Sequence, residues 1–232
     1  GWPFEGHPAF ATLPTYAVIP ATKALFDAIT LLGADLTRLL HGEQSIRWHR
    51  PVPTSGRVLT QWRVADVFDK GKGALAVVVA DTSLPDGTPL FTNTIALFIR
   101  GEGGFDGERG PEAVRMDPPA DRAPDVSVEA ATGMRQALLY RLNGDRNRLH
   151  ADPDFAKASG FERPILHGLC TFGFAGRSFV NAALGGDGAR LKDLSCRFTG
   201  IVMPGDRLLT EAWRLDDGRW VLRTTTGRGT PA

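Results

Sequence analysis

The alternation of apolar and polar positions predicts a helix followed by several strands in the first half of the chain. Leu, Ile and Ala recur at helical spacing over residues 21–40, which predicts a long helix. Strands are predicted wherever apolar residues alternate with polar ones or Val is enriched, at residues 45–49, 57–68, 74–82 and 89–100. The first half is therefore predicted to consist of one helix and an antiparallel sheet.

The second half repeats this order after a stretch rich in Gly, Pro and Asp at residues 101–125, which predicts a linker. Helical spacing predicts helices over residues 133–142 and 167–184. Strands are predicted by alternation at residues 194–198, 207–215 and 220–226.

Short matches relate the two halves at a constant separation. SIRW at residues 45–48 matches SCRF at residues 195–198, and RVLT at residues 57–60 matches RLLT 150 positions later. Pro14 and Pro164 keep the same separation. The matches predict a duplicated α+β unit, in which a long helix lies in the curl of an antiparallel sheet. The predicted repeats span residues 1–115 and 116–232.

The two predicted repeats differ where polar chemistry is concentrated. The position equivalent to His150 would fall before Gly1, so the first repeat is expected to lack its opening elements. Ala17 and Val18 stand where the second repeat has His167 and Gly168. Only the second repeat is therefore expected to hold a polar site, which leaves the first free to form a trough for an apolar substrate.

Composition excludes several classes of protein. The 232 residues carry a formal net charge of +1, which gives no attraction to nucleic acid or to a membrane surface. No apolar run is long enough to span a bilayer. Cys170 and Cys196 are too few for a disulfide framework or a cysteine metal site, which favours a reducing intracellular compartment. The chain begins without Met, so its natural start and any targeting segment are expected to lie outside this sequence.

An Asp, an Asn and a His fall close together after a glycine. Asp145, Asn147 and His150 follow Gly144, a pattern typical of a loop on which side chains can converge. His can give or take a proton near neutral pH, a carboxylate beside it can share one water, and an amide can hold that water. From spacing alone, turn formation remains the favoured explanation for Gly, Asp and Asn here, and the acid–base site is the alternative.

A second candidate group lies at the start of the long apolar helix. Pro164 disfavours helix at Arg163, so the helix is predicted to begin close to Gly168. Free N–H groups there stabilise negative charge, and glycine allows a substrate carbonyl to approach the backbone. Such a donor can stabilise an oxyanion in the transition state by ~3 kcal/mol. His167 is expected only to cap or pack at the helix start.

The run YRLNGDRNRLH at residues 140–150 closely resembles the hydratase 2 motif of MaoC-like (R)-specific enoyl-CoA hydratases. Further segments continue the resemblance, namely HGEQ at 41–44, DKGKGA at 69–74, RGEGGF at 100–105 and PILHGLC at 164–170. The similarity is to the two-repeat form, as in the hydratase unit of peroxisomal multifunctional enzyme type 2.

This resemblance implies a double hotdog fold and a hydratase of 2-enoyl-CoA thioesters. It implies that Asp145 and His150 hold the water and move its protons, that Asn147 positions them, and that the Gly168 N–H binds the oxyanion. The residues implied to line the CoA thioester site are His41, Gly42, Lys70 and Phe198. Coenzyme A is part of the substrate, and no metal or redox cofactor is expected. The resemblance also implies a homodimer, cytoplasmic in a bacterium or peroxisomal in a eukaryote, without nucleic-acid or membrane partners.

Two residues depart from the family pattern. Arg148 stands where the family usually has Pro, and Asn143 stands where Ser is common. Loss of the fixed φ of proline is expected to loosen the loop, while every acid–base group is retained. The alternatives that stay open are a dehydratase acting on acyl-carrier-protein substrates, an acyl-CoA thioesterase and a non-catalytic acyl-CoA-binding module.

Overall fold

The computed structural model describes residues 6–112, 116–227 and 229–232. The first half contains a 3-10 turn at Pro14–Val18 and one helix, α1, at Thr22–Leu31. Four strands follow: β1 at Leu39–Trp48, β2 at Leu59–Asp69, β3 at Gly73–Ser83 and β4 at Pro89–Arg100.

The second half opens with a strand and ends in three. Its strands are β5 at Val126–Ala131, β6 at Asp193–Arg197, β7 at Arg207–Arg214 and β8 at Trp220–Thr226. Its helices are α2 at Gln136–Tyr140, α3 at Pro153–Ala158 and α4 at Gly168–Ala183. The predicted linker at residues 101–125 has no helix or strand in its described part.

Two antiparallel sheets are formed, one across both halves and one within the second half. The larger has the strand order β2-β3-β4-β1-β6, and the smaller has the order β5-β7-β8. Every recorded strand pair is antiparallel. The predicted α+β class is confirmed.

The seam between the halves relates equivalent residues of the repeat. In the β1–β6 pair, Ser45 lies directly opposite Ser195, its counterpart 150 positions later. On either side of this point Arg47 pairs with Asp193 at 2.8 Å, and Arg197 pairs with Glu43 at 2.5 Å. The seam therefore has local twofold symmetry, which supports the duplication predicted from the sequence.

The core is built around α4. Leu169, Phe172, Phe179 and Val180 are buried on this helix and belong to one cluster with Ile46 of β1. Burying each such side chain stabilises the fold by about 1.5–3 kcal/mol. This packing fixes the start of α4 against the seam, beside the site described below.

Two predicted helices are shorter in the structure, and two observed elements were not predicted. The helix predicted over residues 21–40 ends at Leu31, because Gly33 adopts a left-handed φ of +61° and the chain then enters β1. The first repeat therefore has a short helix rather than a long one. The helix predicted over residues 133–142 is reduced to the five residues of α2. Strand β5 and helix α3 were not predicted.

Within the described residues, no helix is both long and apolar enough to cross a membrane.

Candidate active site

The loop that follows α2 brings three polar side chains to one end of α4. Gly144 has a φ of +115°, a left-handed conformation that favours glycine and turns the chain towards Asp145. The side chain of Asp145 accepts a hydrogen bond from the Asn147 N–H at 3.1 Å. The side chain of Asn147 in turn accepts one from the Leu149 N–H at 3.0 Å, so it caps the 3-10 turn that carries His150. Asn147 thus forms the turn that carries His150, and its positioning role in the reaction stays a prediction.

Asp145, His150 and His167 form a compact cluster. Their candidate ligand or proton-transfer atoms all lie within 4.8 Å of one another. The rings of His150 and His167 stack with centroids 3.7 Å apart and 27° between the ring planes. The ring of Tyr140 contacts His167 as well, with centroids 4.8 Å apart.

Hydrogen bonding fixes the tautomer of His150. Its Nδ1 lies 2.9 Å from the carbonyl oxygen of Ile165. A carbonyl can only accept, so Nδ1 carries the proton and the neutral ring has its lone pair on Nε2. The free Nε2 can therefore accept a proton.

Burial keeps the histidines of this region neutral. It lowers the pKa of His150, an effect that the Ile165 carbonyl and the Asp145 charge oppose in part. It also lowers the pKa of His167 to about 3, with His150 as a further cause, and that of His41 to about 4. At neutral pH all three rings are uncharged, and His150 is in the form that can act as a base.

The neutral state of His167 predicts a loss of stability in acid. The unfolded chain protonates this ring near the ordinary histidine pKa of 6.5, whereas the folded protein protonates it only at a pKa of about 3. Between pH 6.5 and about 3, the unfolded state therefore binds more protons than the folded state. The stability that follows from the neutral His167 ring is complete above pH 6.5 and is lost as the pH falls. The loss is on the order of 2 kcal/mol by pH 5. Urea unfolding of His167→Gln at pH 7, 6 and 5 should show a shallower fall in the free energy of unfolding than the wild type; equal slopes would contradict the assignment.

His167 packs at the helix start, as one of the two expected roles. It is 1% exposed, and its Nε2 lies 3.3 Å from the backbone oxygen of Asp145. Its side chain makes no capping hydrogen bond to α4. The ring therefore separates the Asp145 loop from the helix and stacks on His150.

Gly168 is the first residue of α4, as the sequence predicts. Its N–H has no acceptor among the described residues, as expected for the first turn of a helix. A Cβ placed on Gly168 would lie 3.1 Å from the ring of Phe198, which leaves little room for a side chain. Glycine is thus favoured here because a larger residue would collide with Phe198, and its free N–H belongs to a residue that lines the cavity described next.

A cavity of about 430 Å³ brings most of the predicted site residues together. Its lining includes the residues with predicted chemical roles, Asp145, Asn147, His150 and Gly168. It also includes three of the residues predicted to contact the thioester, His41, Gly42 and Phe198. The rings of His41 and Phe198 meet edge to face with centroids 5.2 Å apart.

Lys70 is the exception and does not line this cavity. It follows β2, where its Nζ donates to the backbone oxygens of Arg109 and Pro111 and lies 5.5 Å from the Phe68 ring centre. Its contact with CoA therefore stays a prediction that the cavity does not support.

Arg148 is held by the helix that follows it. Its Nη2 and Nε donate to Asp152 Oδ2 at 2.6 and 3.0 Å, and its guanidinium lies 5.2 Å from the Phe155 ring centre. Asp152 is also the N-cap of α3, where it accepts the N–H groups of Asp154 and Phe155. An ion pair to the N-cap of α3 thus holds Arg148 in place, at the position where proline is usual in the family that the motif resembles.

Two residues of this site, Thr171 and Arg141, were not predicted from the sequence as site residues. The side chain of Thr171 lines the cavity, and its Oγ1 is buried without a partner in the described structure. Arg141 lowers the pKa of both His150 and His167 through its charge. The spacing of Thr171, one turn after Gly168 on the same helix face, is the signal that could have identified it.

The first half supplies an apolar wall to the same cavity. Leu25, Phe26 and Ile29 of α1 line it together with Leu39 and Leu40 at the start of β1. These side chains lie opposite the polar loop of the second half. This arrangement supports the expected trough for an apolar substrate.

Asp145, His150 and His167 are also of types that bind metal ions. Metal-binding imidazoles direct their nitrogen lone pairs towards one central point. The stacked rings of His150 and His167 lie in nearly parallel planes, and one nitrogen of each faces a backbone carbonyl. The geometry favours proton transfer over metal coordination, and the absence of a metal requirement stays a prediction.

Comparison with protein families divides the chain into two matched parts. Residues 1–101 match the MFE-2 hydratase 2 N-terminal domain, and residues 115–230 match the MaoC like domain.

Named relatives match nearly the whole chain. A probable enoyl-CoA hydratase 2 of Dictyostelium discoideum is 41% identical over 97% of this chain and 79% of its own length. The 3-hydroxyacyl-thioester dehydratase Y of Mycobacterium tuberculosis is 46% identical over 91% of this chain and 74% of its own. Mouse peroxisomal multifunctional enzyme type 2 is 41% identical over 91% of this chain, which spans 29% of that larger protein.

Solved structures agree with the architecture. The MaoC-like dehydratase of Phytophthora capsici superposes with a TM-score of 0.87 at 34% identity, covering 98% of this chain and 82% of that one. A Mycobacterium tuberculosis protein described as a double hotdog superposes with a TM-score of 0.60 at 17% identity, covering 96% and 78%. The predicted double hotdog is confirmed.

Proposed function

Since the chain belongs to the MaoC-like hydratase 2 family, we propose that it reversibly hydrates trans-2-enoyl-CoA to (3R)-3-hydroxyacyl-CoA. The observation that carries this proposal is the placement of Asp145, His150 and the open Gly168 N–H around one cavity. An acid–base pair opposite a helix N-terminus is what addition of water to a thioester-activated double bond requires.

The acid–base step belongs to Asp145 and His150. Nε2 of His150 takes a proton from water, because Nδ1 is occupied by the Ile165 carbonyl and burial keeps the ring neutral. Asp145 holds the same water and stabilises the imidazolium that forms. The hydroxide oxygen bonds to C3, and the proton then passes to C2 on the same face, so that one water is added and no charge remains.

The developing charge belongs to the start of α4. As the C2–C3 double bond is attacked, electrons move to the thioester oxygen and form an enolate. The Gly168 N–H has no acceptor among the described residues and is at the positive end of a sixteen-residue helix, which supports its role as donor to that oxygen. His41, Gly42 and Phe198 then flank the thioester sulfur side, and Leu25, Phe26 and Ile29 receive apolar carbons of the acyl chain.

Wild-type protein with crotonyl-CoA tests this proposal. The enoyl absorbance should fall without release of free thiol, and the product should be oxidised by a dehydrogenase specific for (3R)-3-hydroxyacyl-CoA. Thiol release would identify a thioesterase instead, and tight binding without turnover would identify a binding module. Faster turnover of the matching acyl-carrier-protein substrate would favour the dehydratase alternative.

The assembly, compartment and domain division are further proposals. The resemblance supports a homodimer, which sedimentation of the purified protein tests: a mass of one chain would contradict it. The peroxisomal name of the mouse relative supports a peroxisomal location if the source is eukaryotic. For a bacterial source we propose the cytoplasm, and fluorescent tagging of the natural protein tests either location. Repeats at 1–115 and 116–232 would be contradicted if proteolysis cut first at another point.

A further inference from the structure

A second cavity, of about 380 Å³, lies at the opposite end of the β1–β6 seam. The catalytic cavity is lined by His41, near the start of β1, and by Phe198, just after the end of β6. The second cavity is lined by Trp48, at the end of β1, and by Leu191, just before the start of β6. Trp48 and Phe198 are repeat equivalents, and so are His41 and Leu191, each pair 150 positions apart.

The correspondence extends along the walls of both cavities. Residues 49–52 line the second cavity, and their equivalents at residues 199–202 line the catalytic one. Ala11 and its equivalent Phe161 likewise line one cavity each. The local twofold symmetry of the seam thus generates two related cavities, of which only one has been assigned a role. The volume of the second is within the range of small-molecule sites.

The inner end of the second cavity differs from its counterpart. Trp48 is buried, and its indole N–H donates to the carbonyl oxygen of Pro14 at 3.2 Å. Val18 is the sequence equivalent of Gly168, but it is the last residue of the Pro14–Val18 turn rather than the first residue of a long helix, and it does not line the second cavity. The second cavity therefore has no counterpart of the Gly168 N–H, and its lining corresponds to the outer part of the catalytic cavity.

Two cations line the second cavity. Lys192 and Arg50 line the second cavity at positions where the catalytic cavity has Gly42 and Gly200. Both side chains are exposed. Asp187 also lines the second cavity and carries the opposite charge, although its Oδ1 already accepts a hydrogen bond from the Ala189 N–H at 3.0 Å. Two positive groups in place of two glycines favour a ligand with several negative charges, because phosphates pair with Lys and Arg.

We propose that the second cavity binds the phosphate-bearing nucleotide end of coenzyme A and does not turn it over. The inference rests on the proposed function, which makes the equivalent cavity a CoA thioester site. Phe10 and Pro51 line the cavity, and their rings offer apolar surfaces to the adenine base of CoA. Arg50 and Lys192 would then pair with the phosphates of CoA. A second CoA site would fill as free CoA accumulates.

Equilibrium titration of the full chain with free CoA tests this proposal. The wild type should bind two CoA molecules per chain, and the double variant Arg50→Glu, Lys192→Glu should bind one, with affinity at the second site reduced at least tenfold. Lys157→Glu is the matched control, since Lys157 is exposed on α3 and lines neither cavity. It should keep both sites. Pantetheine, which lacks the nucleotide, should bind the wild type and the double variant alike.

The outcomes separate this proposal from the proposed function. A single CoA per wild-type chain that survives in the double variant would overturn the second site and leave the catalytic site standing. A single CoA that is lost in the double variant would support the second site and count against CoA binding in the catalytic cavity. If the double variant fails to fold, a crystal of the wild type grown with CoA decides: electron density for the nucleotide between Arg50 and Lys192 supports the proposal, and an empty cavity overturns it.

Discussion

Replacing Asp145 by Asn is expected to lower kcat for crotonyl-CoA hydration by roughly 10²- to 10⁴-fold, the usual contribution of general acid–base catalysis. Asn keeps an oxygen that can accept the Asn147 N–H, the bond that Asp145 makes at 3.1 Å, so the loop should keep its shape. What is lost is the negative charge that holds the water and stabilises the imidazolium of His150. The readout is the initial rate of absorbance loss at saturating substrate.

His150→Ala is expected to lower kcat by a similar factor, because it removes the free Nε2. If Asp145 and His150 act on one water, the double variant should be little worse than either single variant, as residues that act as a unit are strongly non-additive. Asp154→Asn is the matched control, since Asp154 is an exposed carboxylate on α3 outside the cavity. Near wild-type turnover in either single variant would refute the assignment.

Gly168→Ala is expected to reduce kcat by about ten- to a hundredfold through displacement of the oxyanion donor, since misplacement by about 1 Å can cost a hundredfold. The added Cβ would lie 3.1 Å from the Phe198 ring, so either this ring or the start of α4 must move. Steady-state kinetics should show the loss mainly in kcat, because the donor acts on charge that develops in the transition state.

Gly173→Ala provides the control within the same helix. A Cβ on Gly173 would meet only the Thr15 hydroxyl, at 4.0 Å, which is ordinary contact. Alanine is favoured over glycine inside a helix by up to about 1 kcal/mol, so this variant should be slightly more stable and nearly as active as the wild type. Equal activity losses in the two variants would show that any change in α4 impairs catalysis and would refute a specific role for the Gly168 N–H.

Local sequence patterns predicted the bounds of a helix or strand correctly where they agreed with the tertiary packing. Strand β4 has the predicted bounds, because its alternation is long and its turn is marked by Pro85 and Gly87. Helix α4 begins at Gly168, close to the start predicted from Pro164, which disfavours helix at Arg163. Helix α3 was missed although its signal was present: Asp152 followed by Pro153 is an N-cap followed by a favoured first residue.

The prediction of a long first helix was wrong because some residues satisfy two patterns at once. Leu39 and Leu40 fit the helical spacing of residues 21–40 and also the alternation of β1, and the long pairing with β4 decided in favour of the strand. Strand β5 is short and half-exposed, so its alternation is weak. In the site, the motif predicted Asp145, Asn147, His150 and Gly168, whereas the stacking of His150 on His167 depends on how the loop folds back and has no sequence signature.

The register of the β1–β6 seam has a consequence for assembly inside the cell. A pairing that is symmetric about one residue and its repeat equivalent, here Ser45 and Ser195, is isologous, like that of a symmetric dimer. If β1 paired with β1 of another chain around Ser45, Arg47 would still face Glu43, and in a β6–β6 pair around Ser195, Arg197 would still face Asp193. The ion pairs of the seam therefore do not distinguish the correct partner from a copy of the same half. Covalent linkage makes that choice by raising the effective concentration of one half around the other, so misassembly between nascent chains is the hazard that this duplication carries.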